Sequence, residues 1–184
     1  MIEHRLFPTL VGEFHYPDKD KFKKKFYKNY FKHTDKHGYS SELTGHVTFH
    51  HEKDLAPFFK YVTECTKEFV GRMHIDVDKF DFHITKTWMN NKQHQPTNAH
   101  SHGDAHVSFS YYINIPQDMA YPIRFYNHVE RHEPYPGAIK YNNTSNIWDD
   151  INAYTWEFVP SEGQLMVFCS TLHHDVTGIE GAPR

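Results

Sequence analysis

The sequence predicts a mainly β fold, a sandwich or barrel of short strands with helices packed on one side. Three observations carry this. Apolar residues recur at helical spacing in only two stretches, both ending by about Met73. After Asp81 the chain breaks into short aromatic and β-branched segments separated by proline, glycine and asparagine. No internal repeat or linker divides the 184 residues, so residues 1–184 are expected to form one domain large enough for a real core.

Taken in order, Leu6 to Tyr16 reads as an opening strand pair or edge strand, broken by Pro17-Asp18. From Asp18 to Phe31, the apolar positions Phe22, Phe26, Tyr27, Tyr30 and Phe31 predict an amphipathic helix. Its Lys23-Lys24-Lys25 run reads as a solvated face. His33 to Ser41 reads as loop. A second helix is expected from an Asp54 N-cap, with Pro57 in the first turn, where its missing N–H costs little. Its stripe is Leu55, Phe58, Phe59, Val62, Cys65, Phe69, Val70 and Met73, with Gly71 a candidate stop. Cys65 on this stripe is a core residue rather than a nucleophile.

The β half follows. Phe82–Met89 has strand character, and Asn90 to Pro96 is polar loop. Val107 to Ile115 reads as a strand stopped by Pro116. Tyr121–Tyr126 is a short strand, and residues 127–147, with Pro134, Pro136, Gly137 and an asparagine cluster, form a long loop. Tyr154–Val159 alternates like a half-buried strand, Pro160-Ser161-Glu162-Gly163 is a turn, and Gln164–Cys169 is a strand with Leu172–Val176 close behind.

Composition narrows the function. The formal net charge of −3 supplies no positive field for nucleic acid. Two cysteines, Cys65 and Cys169, make no disulfide framework and fit a reducing compartment. The start shows no signal peptide, and no apolar run is long enough to span a membrane, so a cytoplasmic protein without a membrane partner is expected. Histidine is the outlier, with 17 residues.

The stretch from Asn98 to His106 gathers the metal-capable side chains. Residues two apart on an extended segment point the same way, so His100, His102, Asp104 and His106 would share a face while the backbone stays extended. Imidazoles with a carboxylate are a donor set for a divalent metal, and non-haem iron(II) sites pair two near ligands with a distant third. The distant ligand would be His173 or His174, with His174 favoured because Leu172 shares its face. Zinc is the chemical rival, since imidazole suits both metals.

Four pieces of the chain carry a resemblance. They are Leu6-Phe7-Pro8-Thr9-Leu10-Val11; Trp88-Met89-Asn90 followed by Asn98-x-His100-x-His102; Ser108-Phe109-Ser110-Tyr111-Tyr112-Ile113-Asn114; and Gly163-x-Leu165-x-x-Phe168-x-Ser170-x-x-x-His174-x-Val176 with Arg184. Together they resemble the Fe(II)/2-oxoglutarate-dependent dioxygenase superfamily, and most of all a small prolyl-hydroxylase-like family of oxygenases. The resemblance implies a double-stranded β-helix (jelly roll) with Fe(II) in its mouth and 2-oxoglutarate as co-substrate. It implies O2 as oxidant and a second substrate left open, with a peptidyl proline the analogy. It places Arg184 and Tyr112 on the distal carboxylate of 2-oxoglutarate, a task that suits the planar guanidinium fork.

The chain departs from that pattern in three ways. The family's His-x-His and the superfamily's His-x-Asp are both present, as His100-x-His102 and His102-x-Asp104. His102 and His174 are common to both readings, and the third ligand is His100 or Asp104. Gly103 and Cys169 stand where the family has proline. The family continues with a strand that begins at Arg184, so the chain is either a fragment or lacks that strand. Residues 127–147 with Trp148 are a candidate substrate lid. The rival from another class is a non-enzymatic, cupin-like metal-binding jelly roll.

Overall fold

The computed structural model describes residues 2, 8–31, 33, 40–91, 97–115, 121–127 and 153–176. Its described strands form two antiparallel sheets. The first has the order β1-β6-β3, from β1 (Val11–His15), β6 (Gln164–Cys169) and β3 (Val107–Tyr111). The second has the order β2-β7-β4-β5, from β2 (Thr97–His100), β7 (His174–Val176), β4 (Ile123–Tyr126) and β5 (Thr155–Phe158). Helices α1 (Lys19–Asn29) and α2 (Ala56–Arg72) precede all strands but β1. This is the jelly-roll architecture that the resemblance implied.

The central strand β6 explains how the layers stack. Successive side chains of a strand point to opposite faces. Leu165 and Val167 pack into the cluster shared with the helices, while Met166 and Phe168 pack against Ile123 and Phe125 of β4. All four apolar side chains are essentially inaccessible. A strand covered on both faces reads as a continuous apolar run, which Leu165–Cys169 does. On β4 only one face is apolar: Ile123 and Phe125 turn inward, and Arg124 and Tyr126 reach Glu157 and Asp175 on the other face.

The helical layer is held by large rings. Phe22 lies 4.3 Å from Phe58, and Phe58 lies 4.6 Å from Tyr111 and 5.2 Å from Tyr16, centroid to centroid. These rings join α1, α2, β3 and the end of β1, which is how an aromatic-rich chain builds a core from few side chains. On α2 the stripe from Leu55 to Val70 is buried as expected and Met73 packs at its margin. On α1 the buried row is Phe22, Phe26 and Tyr30. Tyr27 and Phe31 sit one step round the helix, are partly exposed, and stack on each other at 4.8 Å.

Two local expectations need correction, and a condition on a third is not met. Asp54 is not the N-cap of α2: a 3-10 turn, Lys53–Leu55, runs straight into the helix and no side chain caps it. The preceding turn already engages the first N–H groups, as Leu55 N donates to Glu52 at 2.9 Å. Phe82–Met89 alternates in burial like a strand but joins no sheet among the described residues; Thr87 makes one isolated bridge to Thr48. Its neighbour is the segment 41–51, whose 3-10 turns offer no extended edge. The Asn98–Asn114 stretch is not one extended segment. It leaves β2 at His100, bends at Gly103-Asp104, and enters β3 in the other sheet at Val107. The sequence 1–7 apart from Ile2, the candidate lid beyond Asn127, Trp148 and Arg184 lie outside the described residues.

Gly163 closes the turn into β6 at φ +87°, a conformation that L side chains rarely adopt, and a Cβ there would meet Lys19 at 2.7 Å. Its N–H donates to Tyr112 and its carbonyl accepts from Tyr16, so the turn ties β1 to the end of β3. Gly163→Ala is expected to destabilise the fold by about 1–2 kcal/mol, read as a lower urea midpoint at unchanged slope.

Candidate metal centre

Two crossings between the sheets run side by side. One is residues 101–106, joining β2 to β3; the other is residues 170–173, joining β6 to β7. Ser170 stitches them. Its carbonyl accepts the His102 N–H at 2.8 Å, its own N–H donates to the His106 carbonyl at 3.0 Å, and its fully buried hydroxyl shares a 2.8 Å hydrogen bond with Ser108. The ladder does the rest, since His100 and His174 are register partners across β2 and β7.

The result is a group of three histidines. Ring centroids lie 4.5 Å apart for His100 and His174, 5.0 Å for His100 and His102, and 5.3 Å for His102 and His174. One ligand-capable nitrogen from each lies within 4.8 Å of the others. Three nitrogens bound at about 2.1 Å to one ion stand roughly 3.0–3.6 Å apart. The group therefore closes on an ion with side-chain shifts of about an ångström.

Backbone carbonyls fix two of the tautomers. Nδ1 of His100 lies 2.8 Å from the Asn98 carbonyl, and Nδ1 of His174 lies 2.9 Å from the Leu172 carbonyl. A carbonyl only accepts, so both Nδ1 atoms carry the proton and both Nε2 atoms keep a free lone pair. His174 is 5% exposed, with Phe168 at 4.8 Å and Phe125 at 6.0 Å. Burial in these apolar surroundings, helped by the neighbouring His100 and His102, lowers its pKa to about 4. Burial also lowers the pKa of His102, with His100 adding to it and Asp104 opposing. His174 and His102 are therefore held in the neutral form that binds metal.

The other candidates fall differently. Asp104 is exposed on the bend and is not part of the group, and His106 is exposed at the foot of β3. His173 is exposed and is not part of the group, and its carbonyl accepts the Tyr126 N–H. Tyr112 follows β3 and packs on the inter-sheet cluster of Ile123, Phe125, Met166 and Phe168. Burial alone pushes its hydroxyl pKa up, and among the described residues that hydroxyl has no hydrogen-bond partner. Arg184 lies outside the described residues. Two residues were not singled out from the sequence. Ser170 stood only as part of the distal motif, because a serine that works largely through its backbone looks like any other. Trp88, whose ring centroid lies 5.8 Å from that of His102, stood only as part of a motif.

A family model with the description "Putative 2OG-Fe(II) oxygenase" matches residues 86–184, just over half of the chain. The matched range contains Trp88, Tyr112, Ser170 and all three clustered histidines; the opening Leu6–Val11 lies before it. No curated protein matches the chain.

The depressed His174 pKa makes the metal-free fold sensitive to acid. In the unfolded chain the imidazole takes up a proton near 6.5, but in the folded chain only near 4, so the unfolded state binds more protons between these values. Its stabilising contribution is full above about pH 6.5 and is lost as the pH falls toward 4. From pH 7 to pH 5 the chelator-treated protein should lose roughly 2 kcal/mol through this residue. Urea midpoints at the two pH values should show that loss, and His174→Gln should show a smaller one.

Proposed function

The chain belongs to the 2OG-Fe(II) oxygenase family, and on that premise we propose that His100, His102 and His174 hold Fe(II) in an enzyme that hydroxylates a C–H bond. The observation that carries this reading is the convergence of the three imidazoles from two separate crossings. The donor set fits the ion. Imidazole suits iron and zinc alike, and three protein ligands leave room for a chelating co-substrate. The description of the family supports iron over zinc. We take the three-histidine set over one that includes Asp104, because the bend carries that carboxylate out to solvent.

Bound Fe(II) and 2-oxoglutarate would together supply an oxidant from O2, releasing CO2 and succinate. The chain's own residues bind, orient and exclude water. Phe125 and Phe168 back His174 with apolar surface, which keeps water from that side. Tyr112 offers a desolvated hydroxyl without a hydrogen-bond partner among the described residues, and we assign it to the distal carboxylate of 2-oxoglutarate. Arg184 is assigned to the same carboxylate on the resemblance of the distal motif. A peptidyl proline is the substrate class to test first, because Ser108–Asn114 resembles the strand of prolyl hydroxylases. The free cysteines Cys65 and Cys169 support a cytoplasmic setting. Among the described residues no helix is long and apolar enough to cross a membrane.

Fe(II) and 2-oxoglutarate added without air should produce the weak visible charge-transfer band of the chelate, and air should then yield succinate. His174→Ala should abolish both. Tyr112→Phe should keep the band but raise the 2-oxoglutarate KM by about tenfold, the scale of one hydrogen bond to a charged group. Metal uptake with no succinate above a protein-free control would leave the cupin-like metal binder standing instead.

A further inference from the structure

His100 and His174 each have a carbonyl to orient the ring, whereas among the described residues the His102 ring has no hydrogen-bond partner. What it has is Trp88. The two rings meet edge to face, with centroids 5.8 Å apart and planes at 64°. Such a contact fixes the angle of a ring as well as its place, because the edge of one π system seeks the face of the other.

Trp88 is itself tightly placed. Thr87 and Met89, on either side of it, are buried and pinned to the segment 41–50. Thr87 N donates to Val47 O at 2.9 Å and Thr87 Oγ1 accepts from His50 N at 3.1 Å. Met89 N donates to Ser41 Oγ at 3.0 Å and Met89 O accepts from Ser41 N at 2.9 Å. With Thr87 and Met89 turned into the core, the alternation of an extended segment turns Lys86 and Trp88 to the opposite side, where the histidines lie. There Lys86 Nζ stands 5.2 Å from the Trp88 ring centroid, over the indole, and pairs with Glu42.

We propose that Trp88 is the positioning residue for His102, its indole edge-to-face contact replacing the carbonyl hydrogen bond that orients the other two histidines. The inference rests on the three-histidine metal site proposed above. It assigns a task to Phe82–Met89, the segment that alternates like a strand yet joins no sheet among the described residues: it delivers one ring to one ligand. Partners that orient metal-binding histidines characteristically matter about 10- to 100-fold in metal affinity, and Trp88 should fall on that scale.

The test is anaerobic calorimetric titration of the full chain with Co(II), with the visible Co(II) spectrum recorded alongside. Trp88→Leu removes the ring but leaves apolar bulk at a half-buried position, so the metal-free unfolding midpoint serves as the folding control. Trp88→Leu should bind Co(II) roughly tenfold or more weakly, with an altered visible band and an unfolding midpoint close to wild type. Trp88→Phe keeps a ring edge and face and should restore affinity to within about threefold of wild type. Equal affinity in Trp88→Leu and wild type overturns the role of Trp88 and leaves the metal site intact. So does a loss that Trp88→Phe shares in full, or one that tracks a lowered midpoint. No Co(II) binding by the wild-type protein overturns the metal site and this inference with it.

Discussion

The Ser170 carbonyl, accepting the His102 N–H, is the contact on which the histidine group depends. The ladder between β2 and β7 already brings His100 to His174, but it ends there, because β2 stops at His100 and β7 is only three residues long. His102 lies past the end of the sheet, in a chain already turning away. One hydrogen bond of this kind is worth only about 1 kcal/mol net. Its effect is geometric: with the Ser170 N–H and hydroxyl also engaged, three bonds lock the two crossings at one spacing. The jelly roll is thus a frame in which two passages between the sheets are made neighbours.

The burial that holds the frame also sets the chemistry of its ligands. Phe168 closes the space between the sheets and lies against His174, so the packing that stabilises β6 also keeps that imidazole neutral. A buried polar cluster beside an apolar floor is costly when its lone pairs have no partner. A bound ion satisfies those lone pairs, so metal binding and folding are linked, and the site is where the fold would gain most from its ligand.

Much of this was legible in the sequence, and the rest was hidden for physical reasons. The α2 stripe showed clearly because a one-sided helix writes its buried face at a fixed period. Gln164–Cys169 showed as a strand by its length and turn signals, but not its two-faced burial, which depends on layers that other parts of the chain supply. His100, His102 and His174 were nameable from spacing and resemblance. Asp104 stood beside them because parity along a strand holds only while the backbone is extended, and nothing in Gly103-Asp104 alone says that it is not. Phe82–Met89 misled in the opposite way. Its alternation is real but changes phase, with Phe82 and Ile84 packed on the core at its start and Thr87 and Met89 buried at its end; a sheet also needs a partner with a free edge, and periodicity carries no information about partners. Ser170 and Trp88 were hidden for a related reason: each acts on a residue far away in the sequence.

The bend that carries Asp104 away has a further consequence for the reading of the site. A carboxylate in the ligand set would offset part of the charge of a divalent ion, whereas three neutral imidazoles leave it whole. Buried as the His174 ring is, that charge is weakly screened, and the field it casts favours a doubly negative partner over a neutral one. A dicarboxylate such as 2-oxoglutarate would be such a partner, on the proposed reading with one end for the metal and one for Tyr112. The exposure of Asp104 and the all-imidazole donor set point the same way. On the proposed reading, with no negative side chain among the ligands, the compensation of charge would fall to the co-substrate.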